Sequence, residues 1–80
     1  MKFNWDSDKN KKLKLERGIS FEDLIYNSKL IKRIKNRSSL HPNQLELVIL
    51  YNNYCYSVPY VVEDDGTLFL KTAHKDRDLN

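Results

Sequence analysis

The sequence predicts an α+β fold that runs strand, helix, helix and then three or four antiparallel strands, in which two helices pack on one face of a small antiparallel sheet. Helix start and stop signals cluster in the first third, and apolar residues alternate with period two through the second half. The 80 residues include just two glycines and two prolines, so few breaks interrupt the elements. A chain of this length forms one domain, residues 1–80, and buries about 60–65% of the surface its unfolded form exposes, which makes for a thin core. A 40% hydrophobic content in periodic runs excludes a disordered or low-complexity chain.

In MKFNWD, Phe3 and Trp5 alternate with polar neighbours, the pattern of a short strand with both rings on one face. Asp6, Ser7 or Asp8 can then cap a helix. From Ser7 to Arg17 the apolar residues are Leu13 and Leu15, so this helix is polar, lies on the surface and is anchored by few side chains. Gly18 stands where a left-handed C-cap is wanted. Ser20 with Asp23 resembles a capping box opening a second helix, whose buried stripe is Phe21, Leu24 and Ile25. A glycine between two helices raises the DNA-reading helix-turn-helix, but the sequence beyond turns strand-like and supplies no third helix.

Residues 28–36, SKLIKRIKN, fit two templates: Leu30, Ile31 and Ile34 share a helical face, while Leu30, Lys32 and Ile34 alternate as in a strand. SSLHPN reads as a loop in which His41 is exposed and without chemical role. QLELVILYN aligns Leu45, Leu47, Ile49 and Tyr51 on one face. Asn52-Asn53 makes a tight turn, and YCYSVPYVVE returns with Tyr54, Tyr56, Val58, Tyr60 and Val62 aligned. Pro59 lacks a ladder donor, which predicts an edge or a bulge. The next turn is DDG. TLFLKTAH then reads as one continuous last strand with Leu68, Leu70, Thr72 and His74 on one face and Phe69, Lys71 and Ala73 on the other. The face of the sheet away from the helices is expected to carry part of the tyrosine set and lysines, over a shallow concavity.

Charge is distributed unevenly. Residues 1–37 hold eleven Lys/Arg against five Asp/Glu, a net +6, whereas residues 38–80 hold three against six, a net −3. The basic half is a candidate footprint for nucleic acid or an acidic protein partner. Cys55 stands alone, so it forms no internal disulfide and reads as a small buried hydrophobe; no Cys/His set has zinc spacing. With neither a signal-like apolar stretch nor 18 uninterrupted apolar residues, the expected location is cytoplasmic, with no membrane partner.

F-x-W-D-x-x-K, carried by Phe3, Trp5, Asp6 and Lys9, is followed by R-G-I-S-F-E-D at residues 17–23, later by V-P-Y-V at 58–61 and by L-F-L-K-T at 68–72. In order and spacing this resembles the BrnT family of bacterial toxins, within the broader RelE-like class of small ribonucleases, over nearly the whole chain. The resemblance implies the β-α-α-β-β-β core and a strand at Leu30 to Asn36. It also implies RNA cleavage that blocks translation, neutralisation by a cognate DNA-binding antitoxin, and contact with promoter DNA only through that antitoxin. Family members usually continue past the last strand into a basic helical tail, whereas this sequence reads Asp78-Leu79-Asn80 there.

Such a ribonuclease uses the RNA 2′-hydroxyl as nucleophile, so it needs a proton acceptor, a cation for the phosphorane and a proton for the leaving oxygen, and no metal or cofactor. The expected catalytic residues are Arg77 for the phosphate, His74 for acid/base work and Lys71 as a further cation facing RNA. Asp76 and Asp78 flank Arg77 and count against catalysis by repelling RNA. Lys9, Lys11, Lys12 and Lys14 are the expected RNA-binding residues, with Lys11 and Lys14 projecting together beside Lys12. Tyr54, Tyr56 and Tyr60 are assigned to the core in preference to base stacking. The alternative readings are a catalytically weak module of the same fold that binds an antitoxin and co-represses, and a stand-alone nucleic-acid-binding domain.

Overall fold

The computed structural model describes residues 2–35 and 44–79, and the expectation for His41 lies outside them. Strand β1 (Phe3–Trp5) leads into helix α1 (Ser7–Arg17), which Asp6 caps by accepting the Asp8 N–H at 2.9 Å. Gly18 ends the helix at φ 66, where an L side chain would be strained, and its N–H bonds the Lys14 carbonyl. Helix α2 (Phe21–Tyr26) starts at Ser20, whose Oγ accepts the Asp23 N–H at 3.1 Å, as the capping pattern predicted. Of α1, Asn10 and Leu13 are buried, while Leu15 is 88% exposed, so the first helix is indeed lightly anchored.

The ambiguous segment is a strand, β2 (Lys29–Lys35). It pairs antiparallel with β3 (Leu45–Tyr51), with a register shift at Ile31. Strand β3 forms the expected hairpin with β4 (Tyr54–Val62) through Asn52 and Asn53, both at positive φ. Its register sets Leu45, Leu47, Ile49 and Tyr51 beside Tyr60, Val58, Tyr56 and Tyr54. This is the face that Phe21 and Leu24 of α2 cover, giving one core with Leu13, Ile19, Leu68 and Leu70.

Strand β5 (Leu68–Leu70) follows the turn at 64–66, and the sheet order is β1-β5-β4-β3-β2. The sheet is mixed, because β1 runs parallel to β5 and extends the antiparallel meander by one strand. That neighbour choice packs Trp5 against Phe21, with ring centroids 5.6 Å apart. A period-two pattern fixes which way side chains face and leaves strand order open. The face away from the helices is closed at its centre, where Val48 and Ser57 are buried, and the tyrosines of β3 and β4 lie on the helix side instead.

The predicted continuous last strand is broken. After β5, residues 71–73 leave the ladder, and β6 (His74–Lys75) rejoins β4 before a 3-10 turn at Arg77–Leu79. Tyr60 lies opposite Leu70 but Ser57 lies opposite His74, so this side holds one more residue than β4 does. The Lys71 N–H donates to the Pro59 carbonyl at 2.8 Å, and Pro59 has no N–H to return the bond. The bulge expected of Pro59 thus forms on its neighbour. One added residue inverts the phase: His74 shares the face of Ser57, not that of Leu70, and Lys75 shares the face of Tyr56.

Candidate functional site

That phase inversion brings Lys75 onto the tyrosine face of β4, at the edge of a cleft. Arg17, Tyr54, Tyr56, His74, Lys75 and Arg77 line an open depression of about 530 Å³ where the end of α1 meets the hairpin end of β4. Arg17 is the last residue of α1, and its guanidinium donates to the carbonyl of Ala73 inside the bulge. A cation suits that position, where the helix C-terminus is electronegative. The contact ties residues 56 apart in sequence, so the cleft depends on tertiary structure.

Tyr54 is 38% exposed and carries the Lys75 ammonium 4.5 Å from its ring centroid. The Tyr56 ring packs against Tyr51 and Tyr54 at 6.1 and 6.3 Å. Burial, and then those two neighbouring phenols, raise the Tyr56 pKa, so its hydroxyl stays protonated and can donate a hydrogen bond throughout the physiological range. Tyr56 and Tyr60 are core residues as expected, whereas Tyr54 is an accessible ring on the cleft wall.

Asp76 was expected to repel RNA from its place beside Arg77. It is 4% exposed, accepts from Ser57 Oγ at 2.6 Å and from the Asp78 N–H at 3.1 Å, and bonds the Cys55 carbonyl through its own N–H. The carboxylate therefore anchors the 3-10 turn from the side of Ser57, and among the described residues no carboxylate lines the cleft. Three fixed cations, a histidine and an accessible tyrosine suit a phosphodiester with a base beside it.

Of the predicted catalytic residues, His74 and Arg77 line this cleft, and Lys71 does not. Lys71 is exposed, with its ammonium 5.5 Å from the Phe69 ring. The lysines of α1 are outside it as well. Lys12 is 3.9 Å from Glu16, and Lys14 turns toward α2 to meet Glu22 at 3.6 Å. Lys9 is half-buried and Lys11 exposed. Sequence reasoning gave Arg17 no role in a site. The signal available was a lone arginine just before the C-cap glycine, but nothing local says what that arginine meets.

A wider depression of about 740 Å³ lies at the other end of the sheet, between Lys2 and the acidic turn Glu63, Asp64, Asp65. There the Asp65 carboxyl is held below its ordinary range chiefly by the Thr67 backbone N–H, then by the Thr67 side chain. Its charge has the wrong sign for RNA. The chain matches no family model, no curated protein and no solved structure.

Proposed function

We propose that this protein is the toxin component of a type II toxin-antitoxin pair, a metal-independent endoribonuclease that cleaves mRNA, inhibits translation and is neutralised by a cognate antitoxin. The observation that carries the reading is the convergence of Arg17, His74, Lys75 and Arg77 with Tyr54 in one open cleft, from the end of a helix and two separate strand regions. In this reading His74 accepts the 2′-hydroxyl proton as that oxygen attacks the adjacent phosphorus. Arg77 and Arg17 offset the charge of the phosphorane. The 5′-oxygen departs with a proton from the Lys75 ammonium, leaving a 2′,3′-cyclic phosphate and a 5′-hydroxyl. Tyr54 provides a face for a neighbouring base.

The test is cleavage of single-stranded RNA by the purified protein, alongside growth after induced expression in bacteria. Arg77→Ala is expected to lower the cleavage rate about 10²- to 10³-fold without moving the thermal unfolding midpoint. Co-expression of an adjacent small reading frame is expected to restore growth. A folded wild-type protein that neither cleaves RNA nor arrests growth overturns the enzymatic reading. One observation favours the alternative of a catalytically weak module that binds an antitoxin and co-represses. Two cleft cations already have partners within the protein, Arg17 at the Ala73 carbonyl and Lys75 at the Tyr54 ring. That alternative keeps partner binding and loses cleavage.

A further inference from the structure

Among the described residues strand β2 is an outer strand of the sheet, with β3 on one side of it. Its sequence stretch is uniformly basic: from Leu24 to Leu45 the chain has no Asp or Glu, while Lys29, Lys32, Arg33, Lys35 and Arg37 fall within it. Lys29, Lys32 and Arg33 are exposed. So are Leu30 and Ile31, each at 49%, at the point where the register shifts. Beside Leu30 a crevice of about 70 Å³ opens between α2 and the sheet, lined by Phe3, Ile25 and Leu47 with Arg33 at its rim.

An outer strand offers backbone N–H and C=O groups to a further strand, and charge on it decides which strands are accepted. A second copy of β2 would oppose lysine and arginine with lysine and arginine, which repels. We infer that the β2 edge docks an extended, acidic segment of a partner protein. That segment adds a strand antiparallel or parallel to β2, sets its carboxylates against Lys29 and Lys32 on one face, and inserts one small aliphatic side chain on the other face into the crevice beside Leu30 and Arg33. Paired apolar side chains and a crevice favour a peptide over RNA, whose bases need exposed aromatic or planar faces to stack on. The surface lies across β3 and β4 from β6, so the inference goes beyond the cleft and does not depend on its chemistry.

A labelled peptide of about eight residues alternating Glu and Val is the probe, a length that matches a typical strand. Titrated into the full chain, it is expected to bind and to protect the amides of β2 from hydrogen exchange. Lys29→Glu with Lys32→Glu is expected to weaken binding about tenfold or more while leaving RNA cleavage unchanged, because neither residue lines the cleft. N-methylation of alternate peptide amides is expected to abolish binding to the wild-type protein, a result that needs no variant to fold. Failure of cleavage alone removes the ribonuclease reading and leaves this one standing. The inference is overturned if the peptide does not bind, if the N-methylated peptide binds equally well, or if protection maps to the cleft. It is equally overturned if oligouridylate protects β2 where the peptide does not, or if the protein dimerises through β2.

Discussion

Asn10 is a polar residue in the middle of a surface helix, and it is buried because it joins the two helices. Its Oδ1 accepts the Phe21 N–H at 2.8 Å, satisfying a donor at the start of α2, while its Nδ2 donates to Glu22. Asn10→Ala leaves that buried N–H without its acceptor and is expected to cost about 1–3 kcal/mol in urea unfolding. The Asn10 amide, more than the weaker attraction of Lys14, holds the Glu22 carboxyl below the ordinary glutamate range. A folded-state pKa below the unfolded one contributes stability that is fully present above the unfolded value and lost as pH falls through the folded one. Wild type should therefore exceed Glu22→Gln in stability at pH 7, by a small margin because the carboxylate is 45% exposed, and the difference should fade below about pH 4. Unfolding midpoints of both proteins across that range check the sign. Glu22 was legible as part of a helix start; its partner Asn10, twelve residues away, was not, because a buried asparagine in a lysine-rich helix gives no local sign of what it bonds.

At the scale of elements, boundaries were written in short-range chemistry and were read correctly where that chemistry is local. Gly18, Ser20 and Asn52-Asn53 each fix a backbone conformation that their neighbours cannot override cheaply. At Gly18 nothing lies within 4 Å of the point a Cβ would occupy, so Gly18→Ala should cost only the left-handed strain, about 1 kcal/mol, with no steric clash added. Gly18→Asn should cost less, and thermal or chemical unfolding of the two variants separates them. The bulge at residues 71–73 was half legible: Pro59 announced a break in pairing, yet the extra residue falls on the neighbouring strand. Its position decides the faces of His74, Lys75 and Asp76, and so brings Lys75 to the tyrosine side of the sheet. Lys71 lies outside the cleft for the same reason, since a continuous strand would keep it in phase with Lys75.

For the whole molecule, stability rests on one layer of helix against one face of the sheet. Phe21 and Leu24 are fully buried under α2, and Trp5 adds a ring to the same contact. A domain of this size has about 4–12 kcal/mol in total, and Phe21→Ala removes about 3–5 kcal/mol. That variant is expected to be marginally folded at 25 °C, which circular dichroism during thermal unfolding would register as a midpoint lowered by roughly 15 °C or more. The described residues have a radius of gyration of 11.9 Å, close to the roughly 12 Å expected of a folded chain this long, and none of their helices is long and apolar enough to cross a membrane. The sequence by itself determined the α+β class, the helix caps, the hairpin and the inward faces of β1, β3, β4 and β5, because capping, turn geometry and period-two alternation act over a few residues. Tertiary structure alone decided that β1 joins parallel to β5, that Asp76 turns toward Ser57, and that Arg17 reaches the bulge beside His74 and Lys75. Those outcomes depend on strand order and on a single-residue register shift, which are set by packing the complete sheet and leave no periodic trace in the chain.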